Sequence, residues 1–486
     1  MSGIIILGLG PGNPFQISLE AWEILNQAEE IWLRTDKHPT TSSFPPSITN
    51  VHSFDHLYET GDSFDNVYSE IINEIIRLGK RKQGVIYAVP GDPFIAETTS
   101  PEIAARAREL GIELRIVSGM SFLEPTFAAL GLDPFPQTTL MDAMELSQLL
   151  LPPFPIDKPV LITQIYSRII AAEVKATLNS YYSDEQDVIL IHAAGTGDQL
   201  IEKIPLYAID RSSHIGLMTN LFLPGTKSGI SYETFQEVIA RLRAPDGCPW
   251  DRKQTHRSLT QNLIEEAYEA IEAMESDDSS HMAEEFGDLL LQISLNAQIG
   301  LEDGEFNMVD VLTGIHDKLI RRHPHVFGDQ KTEEISSVLE TWERIKTSER
   351  SKSNKQGQGL LSGIPSSLPA LIQAQEIQDR ASRVGFDWKN IEGVIKKIVE
   401  EVKELSAVKN QDEFDSEIGD LIFALVNFTR WRNSNAEAAL RGTNKKFINR
   451  FSYIERMVGE KGKEISAMSL EELEEIWQKA KEDYPG

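Results

Sequence analysis

An internal repeat of acidic motifs constrains this chain more strongly than any other feature of its sequence. The motif EExxE at residues 265–269 is followed by ExxD at 285–288, and the same two motifs recur at 400–404 and 417–420. Both copies lie in stretches whose apolar residues recur with the helical period. The repeat predicts two copies of one helical unit in the second half of the chain.

The spacing within each motif places its carboxylates on a common helix face. In EExxE the first and last glutamates are four residues apart, and in ExxD the glutamate and aspartate are three residues apart. Side chains at these separations are neighbours on a helix, and like charges there destabilise it. A cluster of such groups on facing helices needs a cation or protonation, and oxygen ligands favour Mg²⁺ or Mn²⁺.

The acidic motifs allow two other interpretations. Solvated acidic faces would explain one EExxE motif, but in both copies ExxD runs directly into an apolar segment. A di-iron carboxylate bundle requires Glu-x-x-His, and no glutamate of either copy has a histidine three residues later. A divalent-cation site is therefore favoured over both.

A basic pair follows the acidic motifs in each copy. Lys318 and Arg322 lie four residues apart, as do Lys446 and Arg450. Each pair would present two cations on one helix face, which suits the outer phosphates of a polyphosphate. Ordinary surface charge is the alternative for either pair alone, but the recurrence favours a substrate contact.

The composition narrows the class of protein. The 486 residues include 47 Lys and Arg against 75 Asp and Glu, which gives a net charge of −28. An acidic surface repels phosphate backbones, so no nucleic-acid partner is expected. No apolar run approaches the ~18 residues of a membrane span, and the single cysteine, Cys248, excludes a disulfide framework. We therefore expect a cytoplasmic protein without a membrane partner.

The first half of the chain alternates short apolar runs with amphipathic stretches, which predicts a mainly parallel sheet covered by helices. Strands are predicted at 4–7, 85–89, 114–117, 160–165 and 188–191, and helices at 19–28, 66–78 and 101–110. The proline-rich segment 151–159 is predicted to join two lobes of this half.

The second half is predicted to be helical throughout. Its apolar periodicity indicates helices at 259–274, 282–301, 309–322, 394–405, 417–432 and 436–457. The segment 348–365, rich in Ser, Lys, Gln and Gly, is predicted to be a linker between the two helical modules.

The helical half resembles the MazG family of tandem all-α nucleoside triphosphate pyrophosphohydrolases over about residues 240–486. The resemblance rests on the duplicated acidic motifs, on CPWDxxQT at 248–255, on KLIRRHPHVFGD at 318–329 and on RVGFDW at 383–388. It implies that carboxylates hold Mg²⁺ while water attacks the α-phosphorus of a nucleoside triphosphate, giving the monophosphate and pyrophosphate.

The resemblance also implies roles for particular residues. The metal ligands would be Glu265, Glu266, Glu269, Glu285 and Asp288 in the first copy, and Glu400, Glu401, Glu404, Glu417 and Asp420 in the second. The catalytic, water-activating groups among them would be Glu266, Glu269, Glu401 and Glu404.

Substrate contacts would come from Asn444, Lys446 and Arg450, which match the family segment NxKFxxRF, and from Lys318 and Arg322 in the first copy. The first copy departs from that segment, with His316 and Leu319 where the second has Asn444 and Phe447. The second copy is therefore expected to be the more active.

Three glycine-containing turns follow predicted strands of the first half. They are GLGPG at 8–12, PGDPF at 90–94 and SGMSF at 118–122. Turns at the carboxyl ends of parallel strands form a crevice in which α/β sheets bind ligands. The sequences and spacing of these turns resemble those of the class III, S-adenosylmethionine-dependent tetrapyrrole methylases over about residues 1–225. The order of the two halves resembles the YabN type, in which such a domain precedes MazG.

This second resemblance implies two α/β lobes with the cofactor in the cleft between them. Pro11, Gly91, Asp92, Ser121 and Phe122 would lie near S-adenosylmethionine. The segment HAAGT at 192–196 would lie in the second lobe, where His192 is expected either near the ligand or as a satisfied residue that ends a strand.

The predicted fold is therefore multidomain. A two-lobed α/β tetrapyrrole-methylase-like domain at 1–228 precedes two all-α MazG-like bundles at 240–348 and 364–486. The predicted function is Mg²⁺-dependent nucleoside triphosphate pyrophosphohydrolysis, with a second domain that binds S-adenosylmethionine. The alternative is primarily a methyltransferase whose helical half serves dimerisation or regulation. Because helical units of this size leave apolar faces uncovered, a homodimer is expected.

Overall fold

The computed structural model describes residues 3–61, 63–276, 278–328 and 359–483, together with separate positions between 334 and 349. The chain divides into two compact units, Met1–Val311 and Leu312–Gly486. Most of the predicted linker at 348–365 lies outside the described residues. Among the described helices, none combines the length and apolar character needed to cross a lipid bilayer.

The first sheet of the α/β half is parallel throughout. Its strands are β1 (Ile4–Gly8), β2 (Glu30–Leu33), β3 (Asn50–Ser53), β4 (Val85–Val89) and β5 (Leu114–Val117). They lie in the order β3-β2-β4-β1-β5, and Ile4 of the central strand is opposite Val85 and Leu114. All five residues of β1 are buried, as expected for a strand covered on both faces by helices.

The second sheet is mixed rather than parallel. Its strands are β6 (Thr139–Asp142), β7 (Val160–Thr163), β8 (Asp187–His192), β9 (Leu200–Pro205) and β10 (Thr219–Leu223). Their order is β6-β7-β10-β8-β9. Only β6 and β7 pair in parallel, and the other neighbours are antiparallel. The connection between β8 and β9 is too short for a crossover helix, so these strands pair as a hairpin.

The predicted strands are confirmed, but the predicted lobe connection at 151–159 is wrong. Strand β6 already belongs to the second sheet, so the chain passes between the sheets before residue 139. The proline-rich segment instead lies within the second lobe, where Phe154 joins a core with Val160 and Leu221.

Seven helices cover these two sheets. They are α1 (Leu19–Gln27), α2 (Asp55–Thr60), α3 (Phe64–Gly79), α4 (Thr99–Glu109), α5 (Leu123–Leu130), α6 (Ala143–Ser147) and α7 (Arg168–Leu178). Helix α3 contributes Ile71 and Ile75 to the core under β1 and β4. Helix α5 contributes Phe127 to a core with Leu161 and Ile191 of the second sheet.

The second half is helical in its described residues, as predicted. Its helices are α8 (Tyr232–Arg243), α9 (Thr260–Glu275), α10 (Ser279–Asp303), α11 (Met308–Arg322), α12 (Pro324–Phe327), α13 (Ala370–Arg383), α14 (Ile391–Ala407), α15 (Gln411–Trp431), α16 (Ala436–Glu460) and α17 (Leu470–Asp483).

The sequence repeat appears as two helical hairpins, α9 with α10 and α14 with α15, each pair packed along its length. A capping residue begins the second helix of each hairpin. The Asp278 side chain accepts hydrogen bonds from the backbone N–H groups of Ser280 and His281, and the Asn410 side chain accepts one from Glu413. The tight turns fold the second helix back on the first, so that EExxE faces ExxD.

Candidate functional site

The first hairpin brings together carboxylates from both of its acidic motifs. Glu266 and Glu269 of α9 and Glu285 of α10 each offer an oxygen within 4.8 Å of the others. Glu285 is buried, with 8% of its surface exposed. Glu265 lies aside from this group and accepts a hydrogen bond from Gln261. Glu266, Glu269 and Glu285 are hereafter called the first cluster.

The first cluster carries negative charge that the surrounding protein balances poorly. Burial, together with the nearby charges of Asp288, Glu269 and Glu285, raises the pKa of Glu266. His281 Nε2 lies 3.1 Å from Glu285 Oε1, whereas Glu285 Oε2 is buried without a hydrogen-bond partner. An orphaned carboxylate oxygen among like charges fits a hard divalent cation, which takes several oxygen ligands.

The second hairpin forms a larger acidic group. Glu400, Glu401 and Glu404 of α14 lie together, and Glu401 also groups with Glu417 and Asp420 of α15, with oxygens within 4.8 Å in each set. Glu401 is common to both sets and is only 3% exposed. These five residues are hereafter called the second cluster, and they include every second-copy carboxylate that the sequence predicts.

A lysine occupies the second cluster but not the first. Lys397 Nζ donates to Glu400 Oε1 at 2.8 Å and lies 2.5 Å from Glu401 Oε1. These two hydrogen bonds raise the pKa of Lys397. The corresponding position before the first EExxE motif is Asn262, which carries no charge.

The lysine does not remove the electrostatic strain on the whole second cluster. Loss of solvation and the charge of Glu401 raise the pKa of Glu404, although Lys397 acts in the opposite direction. Repulsion among the carboxylates therefore remains at Glu404, the last glutamate of the EExxE motif on α14. Both clusters fit a cation, and the second already holds one ammonium group.

The predicted basic face of the second copy lies on α16. Asn444 and Lys446 are exposed, and the Arg450 guanidinium lies 5.9 Å from the ring centre of Trp477 on α17. The Trp477 ring also lies 5.1 Å from Phe447. The sequence prediction missed Trp477, which becomes visible only when α17 folds back against α16. Within the described part of the chain, no ion pair joins Lys446 to the second cluster.

The basic pair of the first copy has a different environment. Lys318 is exposed on α11, whereas the Arg322 Nη2 group donates to Glu349 Oε2 at 2.6 Å. Arg321 also donates to Glu349, through its Nε atom at 2.7 Å. Arg322 is thus held by an acidic partner, and a phosphate would have to replace that partner.

The three turns predicted in the α/β half converge at one edge of the first sheet. Gly10 and Gly91 exchange backbone hydrogen bonds of 3.2 and 2.8 Å. Asp92 Oδ2 accepts from the Gly119 N–H at 3.2 Å. A Cβ atom on Gly119 would lie 2.3 Å from the Gly91 carbonyl oxygen, so only glycine permits this approach. The turns form one backbone cradle.

The other predicted cofactor residues lie on the same turns. Pro11 is buried directly after Gly10. Ser121 Oγ donates to Glu124 Oε2 at 2.5 Å and accepts from the Leu123 N–H, while Phe122 precedes the first residue of α5. His192 ends β8, and its two ring nitrogens lie 3.0 Å from Thr219 Oγ1 and 2.8 Å from Glu202 Oε2. Both ring nitrogens of His192 thus have hydrogen-bond partners, as expected for a residue that ends a strand without contacting a ligand.

Two further polar features beside these turns were not predicted. His38 is buried, its Nδ1 atom lies 2.6 Å from Thr40 Oγ1, and burial lowers its pKa to about 4. Arg34 pairs with Glu97, whose side chain is almost fully buried. Glu97 follows the PGDPF turn closely, which is the only sequence signal that points to it.

Two parts of the chain match known families. Residues 3–210 match the tetrapyrrole (corrin/porphyrin) methylases, and residues 254–327 match the MazG nucleotide pyrophosphohydrolase domain. The second match includes all three carboxylates of the first cluster. The chain therefore combines a tetrapyrrole-methylase-type α/β domain with a MazG-type helical region, as the sequence predicts.

A relative that spans both halves of the chain identifies the family. The uncharacterized protein YabN of Bacillus subtilis is 39% identical over 487 residues, which cover 99% of this chain and 98% of that protein. The nucleoside triphosphate pyrophosphohydrolase/pyrophosphatase MazG of Thermotoga maritima is 44% identical over 255 residues, 52% of this chain and 97% of that protein. The nucleoside triphosphate pyrophosphohydrolase of Escherichia coli K12 is 44% identical over 250 residues, 50% of this chain and 94% of that protein. The chain belongs to the YabN family, and the resemblance seen in the sequence is confirmed.

Proposed function

We propose that this protein is a divalent-cation-dependent nucleoside triphosphate pyrophosphohydrolase that converts a nucleoside triphosphate and water into the monophosphate and pyrophosphate. The observation that carries the proposal is the pairing of EExxE with ExxD on facing helices in both hairpins. Carboxylates at this density repel one another, and a divalent cation among them relieves that repulsion. The names of the MazG relatives support the choice of reaction.

The cation is Mg²⁺, which Mn²⁺ can replace because both prefer oxygen ligands. Its ligands in the first copy come from Glu265, Glu266, Glu269, Glu285 and Asp288, and in the second from Glu400, Glu401, Glu404, Glu417 and Asp420. When bound, the cation neutralises the triphosphate and the leaving pyrophosphate. Without that charge, an anionic substrate would meet anionic pockets on a chain of net charge −28.

The catalytic step transfers the nucleotidyl group of the substrate from pyrophosphate to water. The water oxygen attacks the α-phosphorus, the bond from that phosphorus to the bridging oxygen breaks, and pyrophosphate leaves with the bond's electrons. Glu266 or Glu269 in the first copy, and Glu401 or Glu404 in the second, orient the water and accept its proton. Burial, together with the charges of neighbouring carboxylates, raises the pKa of Glu266 and Glu404, which favours a proton acceptor.

The substrate's phosphates are held by the basic faces that follow each acidic pair. Asn444, Lys446 and Arg450 serve the second copy, and Lys318 and Arg322 serve the first. Arg322 is paired with Glu349, and the first copy has His316 and Leu319 where the second has Asn444 and Phe447. The departure of the first copy from the family segment supports the second copy as the more active one.

The α/β domain binds S-adenosylmethionine, either as a methylase with an acceptor of its own or as a relict that binds the ligand and tunes the helical half. Pro11, Gly91, Asp92, Ser121 and Phe122 lie on the three converging turns and would surround the cofactor. The close backbone approach of Gly119 to Gly91 fits a cradle for a small ligand. Isothermal titration with S-adenosylmethionine or its demethylated product tests this part, and an absence of binding at millimolar ligand would refute it.

We keep the domain limits of the sequence prediction, at 1–228, 240–348 and 364–486. We also propose that the protein acts in the cytoplasm and that it is a homodimer. Large apolar side chains such as Phe286, Ile422 and Phe447 are more than 40% exposed in the isolated chain. Exposed apolar helix faces of this kind favour self-association. A strictly monomeric species in analytical ultracentrifugation would contradict the dimer.

Product analysis tests the main proposal. The protein is incubated with each nucleoside triphosphate and Mg²⁺, and the products are separated by ion-exchange chromatography. Monophosphate with pyrophosphate is expected, and no products in the presence of a chelator. Formation of diphosphate with orthophosphate would contradict the assignment, because it requires cleavage at the γ-phosphorus.

A further inference from the structure

A cavity lies beside the first cluster in the groove between α9 and α10. It has a volume of about 280 Å³ and is lined mainly by apolar side chains, among them Leu259, Leu263, Ile293 and Val311. Four polar residues also line it: His256, Thr260, Gln292 and Asn296. An apolar pocket with a few converging polar groups is typical of a small-molecule site.

Two polar atoms of this cavity are buried without a hydrogen-bond partner. They are Gln292 Oε1 and His256 Nε2. Gln292 is only 5% exposed, so bulk water does not compensate the missing bond. Leaving a buried polar atom unpaired destabilises a fold by about 1–3 kcal/mol, and two such atoms on one cavity indicate a ligand that supplies partners for both.

The hydrogen bonds around His256 determine whether the ligand must supply hydrogen-bond donors or acceptors. Asn296 Nδ2 donates to the Gln292 carbonyl oxygen at 2.8 Å, so Asn296 Oδ1 faces His256 Nδ1, which lies 2.7 Å away. Nδ1 therefore carries the proton of the neutral ring, and Nε2 is an acceptor. With Gln292 Oε1 also an acceptor, the cavity presents two acceptors and requires a ligand with N–H donors.

The shape of the cavity favours a flat ring as the ligand. The Phe306 ring stacks on His256, with 5.8 Å between centres and 21° between planes. Together with Leu259 and Leu263, these rings provide apolar walls against which a planar heterocycle packs. A purine or pyrimidine with an exocyclic amino group combines flat apolar faces with N–H donors at its edge.

The position of the cavity connects it to the first cluster. Gln292 follows Asp288 by four residues and Glu285 by seven on the same helix, so it lies on the same face, about 6 and 10 Å along the axis. On α9, Leu263 precedes Glu266 by three residues. A nucleoside in the cavity would thus direct its phosphates along the groove toward the carboxylates.

The second copy does not repeat these polar residues. The positions of Gln292 and Asn296 relative to ExxD are occupied there by Ala424 and Phe428. We propose that the cavity formed by His256, Gln292, Asn296 and Phe306 is a nucleobase-binding site that selects bases bearing an exocyclic amino group. The proposal rests on the proposed function, because it places the base of a nucleotide whose phosphates meet the first cluster.

Binding of free nucleosides tests this site separately from hydrolysis. Adenosine and inosine differ in the exocyclic group, an amino donor in the first and a carbonyl acceptor in the second. The full-length protein is titrated with each nucleoside by calorimetry, in EDTA so that no metal contributes. Saturating S-adenosylhomocysteine is added to block adenosine binding in the α/β domain. Adenosine is expected to bind about tenfold more tightly than inosine, since a carbonyl would face two acceptors.

Two matched variants test whether the preference for adenosine arises in this cavity. Gln292→Leu removes one acceptor and should bring the two affinities to within about twofold of one another. Gln378→Leu is the control, because Gln378 is also buried with an unpartnered Oε1 atom but lies on α13 in the other compact unit. The control should preserve the preference for adenosine.

Equal affinities in the wild type, no nucleoside binding at millimolar concentration, or a preference retained in Gln292→Leu would each overturn the proposal. If circular dichroism shows that Gln292→Leu is unfolded, nuclear Overhauser contacts in the wild type decide instead. Contacts between adenosine protons and the Phe306 ring are expected, and their absence overturns the site. A failure of the hydrolase assay alone would leave these binding results unaffected.

Discussion

The two acidic clusters share their motifs but differ in how the protein balances their charge. In the second cluster Lys397 donates to Glu400 and lies against Glu401. In the first the corresponding residue is Asn262, and one oxygen of Glu285 has no partner. The same carboxylate motif can therefore have its negative charge partly neutralised by a lysine of the chain in one copy, whereas in the other copy that charge is available to a metal ion.

This difference has a direct consequence for metal binding. A cation entering the first cluster meets its carboxylates and His281. A cation entering the second must displace the Lys397 ammonium group or bind beside it, which opposes binding through like-charge repulsion. We therefore expect the first cluster to bind a divalent ion more tightly when no nucleotide is present.

The largest expected effect comes from removing one central carboxylate from each cluster. The double variant Glu266→Gln with Glu401→Gln should lower pyrophosphate release at least about a thousandfold, because metal neutralisation and water activation are both lost. Of the two single variants, Glu401→Gln should lose more activity. Initial rates of pyrophosphate release measure all three, and near wild-type turnover by the double variant would refute the role of the clusters.

The basic faces provide the next comparison. Arg450→Met should raise the KM for a nucleoside triphosphate by about tenfold or more, since a charged contact to phosphate is lost. Arg322→Met should have a smaller effect, because the first copy departs from the family's substrate segment at His316 and Leu319. Steady-state kinetics at saturating Mg²⁺ compare the two variants. A larger rise in KM for Arg322→Met would reverse the assignment of the more active copy.

Exchanging the lysine between the copies sharpens the comparison of metal affinity. In a Glu266→Gln background, Lys397→Met should tighten Mn²⁺ binding to the second cluster by a few-fold to about tenfold. In a Glu401→Gln background, Asn262→Lys should weaken binding to the first cluster by a similar factor. Electron paramagnetic resonance measures free Mn²⁺ in both titrations. Unchanged affinity in both would show that the lysine does not compete with the metal.

The smallest expected effect is a pH-dependent change in stability without metal. Because the pKa of Glu266 is raised in the fold, the native state binds a proton more readily than the unfolded chain. This carboxylate therefore destabilises the protein at neutral pH, and the penalty disappears as the pH falls through the raised pKa. Glu266→Gln should raise the free energy of unfolding at pH 7.5 by a few tenths of a kcal/mol per like-charge pair removed.

Urea denaturation in EDTA measures that difference between wild type and variant. The variant should be the more stable at pH 7.5, and the two proteins should converge below about pH 4.5, where the carboxyl group is protonated in both states. A variant that is less stable than wild type at neutral pH would contradict the electrostatic account of the first cluster.

The parts of the fold that the sequence predicts are those with continuous apolar runs. Strand β1 is buried at every position and was predicted, whereas β3 (Asn50–Ser53) is an edge strand of half-exposed and exposed residues and was not. The lobe connection was misplaced because prolines at 151–159 also occur in loops within a lobe. Composition marks a loop, but it does not say which elements the loop joins.

The site shows the same limit. The carboxylates were predicted because their i, i+3 and i, i+4 spacing is a local property of one helix. Lys397 lies at similar spacing from Glu400 and Glu401 and was open to the same argument. His256 and Phe306, in contrast, flank the hairpin at distant positions and meet only when α9 and α10 pack. Contacts of that kind do not follow from the spacing of residues along the chain.

Crystals soaked with Mn²⁺ and a non-hydrolysable nucleoside triphosphate analogue show whether the two clusters hold metal ions on a nucleotide. Anomalous density is expected for an ion among Glu266, Glu269 and Glu285, and for another at Glu401 with its neighbours, each in contact with phosphate oxygens. Carboxylates turned to solvent in both hairpins, with no ion among them and the analogue bound elsewhere, would refute the metal-dependent role of the clusters.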